Sequence, residues 1–78
     1  MIVEDPAIAD AILDLAHRRG AGKTFCPSEV ARALAQDWRP LMPRVRAVAA
    51  TLPIEATQKG VPVDPLAAKG AIRLGLKP

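Results

Sequence analysis

Prolines at positions 6, 27, 40, 43, 53, 62 and 65 divide this chain into its folding units and constrain it more than any other feature. A proline fixes φ and has no N–H to donate. It fits the first turn of a helix, a turn or an edge strand, but not a helix interior or a central strand. Three helical patterns begin on or near such a residue. Asp5-Pro6 opens the first, with Asp5 as the expected N-cap and Pro6 in the first turn. Ile8, Ile12 and Leu15 recur at helical spacing beside Ala9, Leu13 and Ala16, while Asp10 and Asp14 take the opposite face. Arg18 and Arg19 suit the negative end of the helix dipole, and Gly20 supplies the stop.

Cys26-Pro27-Ser28-Glu29 starts a second helix, expected to bury Val30, Ala31 and Leu34 and to end near Gln36. Before it, Lys23-Thr24-Phe25 reads as a brief extended piece that turns Phe25 into the core and is available as an extra strand. A turn over Asp37–Pro40 leads into the third helix, capped near Asp37 or Arg39, with Pro43 in its first turn and Pro53 as its stop. Leu41, Val45, Val48 and Leu52 fall at i, i+4, i+7 and i+11, the clearest helical stripe in the chain.

Past Pro53 the pattern changes. Ile54 to Lys59 reads as a strand bounded by Gly60, and Val61 to Pro65 is too proline-rich for a central strand. Leu66 to Gly70 reads as loop or a single helical turn. Ala71 to Leu76 alternates, placing Ile72, Leu74 and Leu76 on one face and Arg73 on the other. The two strands predict a hairpin with a long loop at its tip. A lone hairpin is unstable in water, so it must pack on the helices. The order predicts a mainly α fold with a small β hairpin: a winged helix-turn-helix of three helices and a C-terminal wing, forming one domain over residues 1–78. The competing fold is a three-helix domain with an irregular tail.

Composition narrows the function. Of 78 residues half are hydrophobic, but fifteen of those are alanine, which leaves few large side chains for a core. A domain this small is marginally stable, and a sizeable substrate cavity would remove core that it needs. We therefore expect a binding module rather than an enzyme. The single cysteine, Cys26, excludes an intrachain disulfide and fits a reducing cytoplasm. The first eleven residues carry Glu4, Asp5 and Asp10 and no Lys or Arg, unlike an export signal. No apolar run is long enough to span a membrane. The expectation is a complete, soluble, cytoplasmic chain with no membrane partner.

The segments Lys23 to Leu34, Trp38-Arg39-Pro40-Leu41-Met42, Arg44-Val45-Arg46, Thr57-Gln58-Lys59-Gly60 and Val63-Asp64-Pro65 together resemble a small bacterial family catalogued as domain of unknown function 3253. The resemblance runs from about Ile8 to Leu76. It implies a stand-alone winged helix and brings no established activity. One departure is Ala71, where the family's pattern leads us to expect a proline after Lys69-Gly70.

Several constellations invite a chemical reading. His17 to Thr24 nearly matches the phosphate-binding loop G-x-x-x-x-G-K-[ST], whose backbone N–H groups cradle phosphates between a strand and a helix. Here His17 replaces the first glycine and a helix precedes the segment, so a glycine-rich helix stop is expected instead. Cys26 and His17 are the only thiol and the only imidazole. A nucleophilic pair needs them adjacent and oriented by a third group, and none is evident. One Cys and one His cannot close a zinc site. Asp10 and Asp14 read as a wet helix face. No catalytic residue, metal or cofactor is expected, and Trp38 is expected to cap the core between the second and third helices.

Charge gives the remaining signal. Residues 1–17 hold four acids and no Lys or Arg, whereas all eleven basic groups lie in residues 18–78 against four acids. In a winged helix the third helix commonly enters the major groove and the wing touches the backbone. We expect Arg39 and Arg46 to point outward, with Arg44 at the edge of the buried stripe and Lys59, Lys69 and Arg73 on the hairpin and its loop. These six cations are the expected nucleic-acid contacts, DNA in particular, made mostly to phosphates. The rest of the helix's outer face is Pro43, Ala47 and Ala50, with Thr51 as its only other polar side chain, and so has little to read bases with. That alanine-rich face also suits a second use, as an adaptor packing against another protein.

Overall fold

Helix α1 (Asp5–Arg19) buries Ile8, Ile12 and Ala16, the stripe that its periodicity predicts, with Leu15 half-buried. Its start differs from expectation. Glu4 is the N-cap, with extended backbone, and its carbonyl accepts from the N–H groups of Ala7 and Ile8 at 3.0 and 3.2 Å. Asp5 is already helical, and its carboxylate lies at the positive end of the dipole, turned towards Arg44. The computed structural model describes residues 3–77; Met1, Ile2 and Pro78, within the domain expected over 1–78, lie outside the described residues.

After the turn at Ala21-Gly22, strand β1 (Thr24–Phe25) buries Phe25 completely. Helix α2 (Pro27–Leu34) comes directly after it, buries Pro27, Val30 and Ala31, and stops two residues before the expected end because Ala35 turns extended. The chain then passes Trp38 into a 3-10 turn (Arg39–Leu41) that leads into helix α3 (Met42–Ala49). Val45, Val48 and Ala49 face the core, with Leu41 and Leu52 partly buried against it. Leu52 stands beyond the helix. There the bonds narrow to i→i+3 spacing, from Thr51 N–H to Val48 and from Leu52 N–H to Ala49, and Pro53 prevents a further turn.

The predicted hairpin is present as strands β2 (Ile54–Gln58) and β4 (Arg73–Leu76), which pair antiparallel. Its long loop contains a third partner, β3 (Val61–Val63), joined to β2 through Lys59-Gly60. Both turn residues have positive φ, 52° and 81°, as a tight two-residue hairpin turn requires. With β1 on the far side of β4, the antiparallel sheet has four strands in the order β1-β4-β2-β3.

Pro62 is admitted because β3 is an edge. In a two-residue hairpin the flanking pair Gln58–Val61 exchanges hydrogen bonds. The next pair, Thr57–Pro62, is then non-bonded, and the proline nitrogen faces away from β2. Three helices against one face of this sheet bury Ile8, Ile12, Phe25, Val30, Val45, Ile72 and Leu74 in a continuous core. The element order is that of a winged helix, with a broader sheet than the hairpin expected. No helix among the described residues is long and apolar enough to cross a membrane.

Candidate nucleic-acid interface

The outward face of α3 is smooth. Pro43 and Ala47 are exposed along it, and Ala50 and Thr51 continue it past the helix end. At about 100° per residue, Arg44 and Arg46 fall on opposite flanks of this face. Each is tied down. Arg44 reaches α1, and its Nη2 lies 2.8 Å from the Asp5 carboxylate. Arg46 does not point into solvent as expected. It is half-buried and turns to the loop between β3 and β4, where it donates to the carbonyls of Ala68 (2.7 Å) and Gly70.

Gln58, at the end of β2, holds the same loop from the other side. Its side-chain amide donates to the carbonyls of Lys69 (2.6 Å) and Ala71 (3.2 Å). Four successive carbonyls, 68 to 71, are thus taken alternately by Arg46 and Gln58. The bend at Gly70, where φ is 84°, lies within this stretch. Further back, Asp64 closes a single turn. Its carboxylate accepts the Leu66 N–H at 2.8 Å and its carbonyl accepts those of Ala67 and Ala68. The wing loop is therefore fixed to α3 and β2 by hydrogen bonds. Asp64, the acid most able to interrupt a basic wing, bonds within its own turn.

The other cations are distributed unevenly. Lys59 stands exposed in the β2–β3 turn and Lys69 in the clasped loop. Arg73 is drawn to the opposite edge of the sheet, where it donates to the Thr24 hydroxyl (3.1 Å) and carbonyl (2.9 Å). Arg39 stacks on Trp38, with its guanidinium carbon 4.7 Å from the ring centroid. Consecutive residues on a helix point apart, but Trp38 precedes the 3-10 turn, so the two side chains meet. Arg32, from the last turn of α2, lies over the same ring at 4.6 Å. Sequence reasoning missed Arg32 and Gln58. Both lie in segments that carry the family resemblance, but neither belongs to a periodic stripe, and each acts on a partner in another part of the chain.

The profile of a known family described as "Protein of unknown function (DUF3253)" matches residues 5–77. The chain belongs to this family. The matched interval in this DUF3253 protein contains every helix and strand of the fold. No curated protein matches the chain.

The residues behind the other candidate chemistry in the DUF3253 chain make local contacts. The segment resembling a phosphate loop is split between the end of α1, where Gly20 has φ 89°, and a turn before β1. His17 is exposed, with Nδ1 2.7 Å from the Leu13 carbonyl in its own helix. Cys26 is half-buried as the N-cap of α2, and its sulfur accepts from the Ser28 hydroxyl at 3.0 Å. Glu29 reaches back to the Cys26 N–H at 2.9 Å and also pairs with Arg19. The backbone bond, and then the guanidinium, hold the Glu29 carboxyl below its ordinary range. Asp14 pairs with Arg18 one turn on. Among the described residues no three His, Cys, Asp or Glu side chains gather as a metal site.

Proposed function

We propose that this chain binds nucleic acid, duplex DNA foremost, through α3 and the wing, chiefly by phosphate contacts. The observation that carries the reading is the clasp of carbonyls 68–71 by Arg46 and Gln58. It fixes the loop bearing Lys69 on the flank of α3, so exposed cations keep their spacing before a partner arrives. Preorganised charge of this kind loses little entropy on binding. Arg39, Lys59 and Lys69 form no ion pair among the described residues. Arg44, Arg46 and Arg73 hold the scaffold beside them. The face has few groups for base edges, so we assign it shape- and charge-led binding. We read the protein as a non-enzymatic module of a bacterial cytoplasm, in keeping with its single thiol and its small core.

Titration of duplex DNA at two salt concentrations tests this. Binding at low salt that weakens steeply with added salt is expected. Absence of binding at low salt, or affinity indifferent to salt, overturns the reading.

A second reading, an adaptor for another protein, is favoured by the smooth outer face of α3. It lies between two grooves. One is of about 410 Å³ and is lined by Pro6, Ala9 and Ala47 among others. The other, about 310 Å³, is formed by Met42, Pro43, Arg46, Pro65 and Leu66. Leu66 is 62 % exposed at its rim. Ala47→Lys separates the two uses. It is expected to tighten duplex binding and raise the salt slope by about one, whereas an apolar protein contact at this face would be lost.

A further inference from the structure

The α2–α3 turn holds a second basic feature that reaches beyond the six expected contacts. Trp38 is partly buried against the core, which fixes its ring. Two guanidiniums, from Arg32 and Arg39, stand over that ring at 4.6 and 4.7 Å. Both distances are within the range of a cation–π contact. The ring attracts each cation but neutralises neither. The ion pairs among the described residues involve Arg18, Arg19 and Arg44, not these two. Asp37, next to Trp38 in the chain, pairs with neither. A guanidinium lying on an aromatic face keeps its N–H donors at its edge, and no acceptor within the described residues takes them. The result is a fixed, exposed, uncompensated pair of planar donors.

Each guanidinium fits the acceptor oxygens of a phosphodiester, and two on one ring suit a backbone that presents successive phosphates. Its position matters as much as its charge. Arg39 is the first residue of the 3-10 turn that becomes α3, so the pair stands where the chain enters the proposed recognition helix. We propose that Arg32 and Arg39, stacked on Trp38, form a phosphate-gripping site that extends the interface from α3 and the wing to the α2–α3 turn. The proposal rests on the nucleic-acid reading. It adds Arg32 and Trp38 as binding residues and assigns Arg39 a stacked geometry.

Trp38 makes the test direct, because the chain has one Trp and no Tyr and its emission reports on this ring alone. The full chain is titrated with a labelled mixed-sequence DNA duplex, tracking both label anisotropy and Trp38 emission. Binding is expected to change Trp38 emission. Arg32→Gln is expected to weaken affinity several-fold and to lower the salt slope by about one. Arg18→Gln, which removes the same charge from α1, serves as the control and is expected to change little. Arg32 is exposed, so its replacement leaves the core intact.

Duplex binding with unaltered Trp38 emission, or with Arg32→Gln no worse than Arg18→Gln, overturns this site and leaves the nucleic-acid reading standing. Failure of the unmodified chain to bind at low salt overturns both. A response of Trp38 to polyglutamate but not to duplex overturns the phosphate assignment in favour of an acidic protein partner.

Discussion

The two ends of the sheet are held by different forces. At the β1–β4 end, Phe25, Ile72 and Leu74 are fully or almost fully buried, and α1 packs on both strands. At the β3 end, Val61 is 61 % exposed and Val63 is half-buried. The loop from β3 to β4 is fixed instead by Arg46, Gln58 and Asp64 donating to or accepting from backbone. Burial is cooperative and non-directional, and it sets where the chain folds. Hydrogen bonds to a loop are local and directional, and they set where that loop points. Stability is therefore concentrated at one end, and the surface proposed for binding is shaped at the other.

Removing the largest apolar group at the stable end tests that division most severely. Phe25→Ala is expected to cost about 3–5 kcal/mol, the range for a buried Phe cut to Ala. A domain of this size has little more than that in total. Thermal unfolding monitored by circular dichroism should show lost cooperativity at room temperature. A melt within a few degrees of the unmodified chain would mean that Phe25 does not carry this end.

Gly75 probes the same end by adding volume. A Cβ built there would lie 3.0 Å from the Lys23 carbonyl oxygen and 3.3 Å from Thr24 Cγ2. The first is a backbone atom, so β1 must shift away from β4. Gly75→Ala is expected to destabilise by about 1–3 kcal/mol, as overpacking of a tight site does. Chemical denaturation checks it, and a neutral result would show that β1 is loosely attached.

Legibility in the sequence divides along the same line. Helix stripes and the inward turn of Phe25 are readable because apolar periodicity reports burial directly. Strand β3 is obscured by Pro62 and Pro65, and the Lys59-Gly60 step before it lacks the Asn or Asp that marks a two-residue hairpin. An edge strand accepts a proline whose nitrogen faces outward, and composition cannot say which strand is the edge. Periodicity places Arg46 off the buried stripe and so predicts it in solvent. Its bonding to carbonyls 22 and 24 residues away depends on the path of a loop, which leaves no pattern in spacing. The Trp38–Arg39 stack is hidden for a different reason: adjacent side chains diverge on a continuous helix, but a 3-10 turn intervenes here.

Arg46→Ala addresses the wing end. Two charge-assisted bonds are lost, but water reaches the freed carbonyls, so the expected global cost is only about 1 kcal/mol. The larger change should be local. Amide exchange in the loop leading to β4 is expected to rise, while the amides of β1 and β4 near Phe25 stay protected. Uniform loss of protection would show that the two ends unfold as one unit, and the contrast between them would fail.

The smallest effect concerns a polar joint at the apolar end, where Glu29 links the start of α2 to Arg19 of α1. Glu29→Gln keeps a side-chain acceptor for the Cys26 N–H and removes only the charge. The side chain is 38 % exposed, so solvent screens the pair and the gain is modest. Its pH dependence is distinctive all the same. The folded-state pKa lies below the ordinary 4.5, because the Cys26 N–H and then Arg19 favour the carboxylate. Stability from the charge is fully present above the unfolded-state value and is lost as pH falls through the lowered folded-state value. The unmodified chain should therefore be more stable than Glu29→Gln near neutrality, with the two converging in acid once the pH falls below the lowered folded-state value. A gap that persists in acid would assign the effect to the shape of the amide rather than to the charge of Glu29.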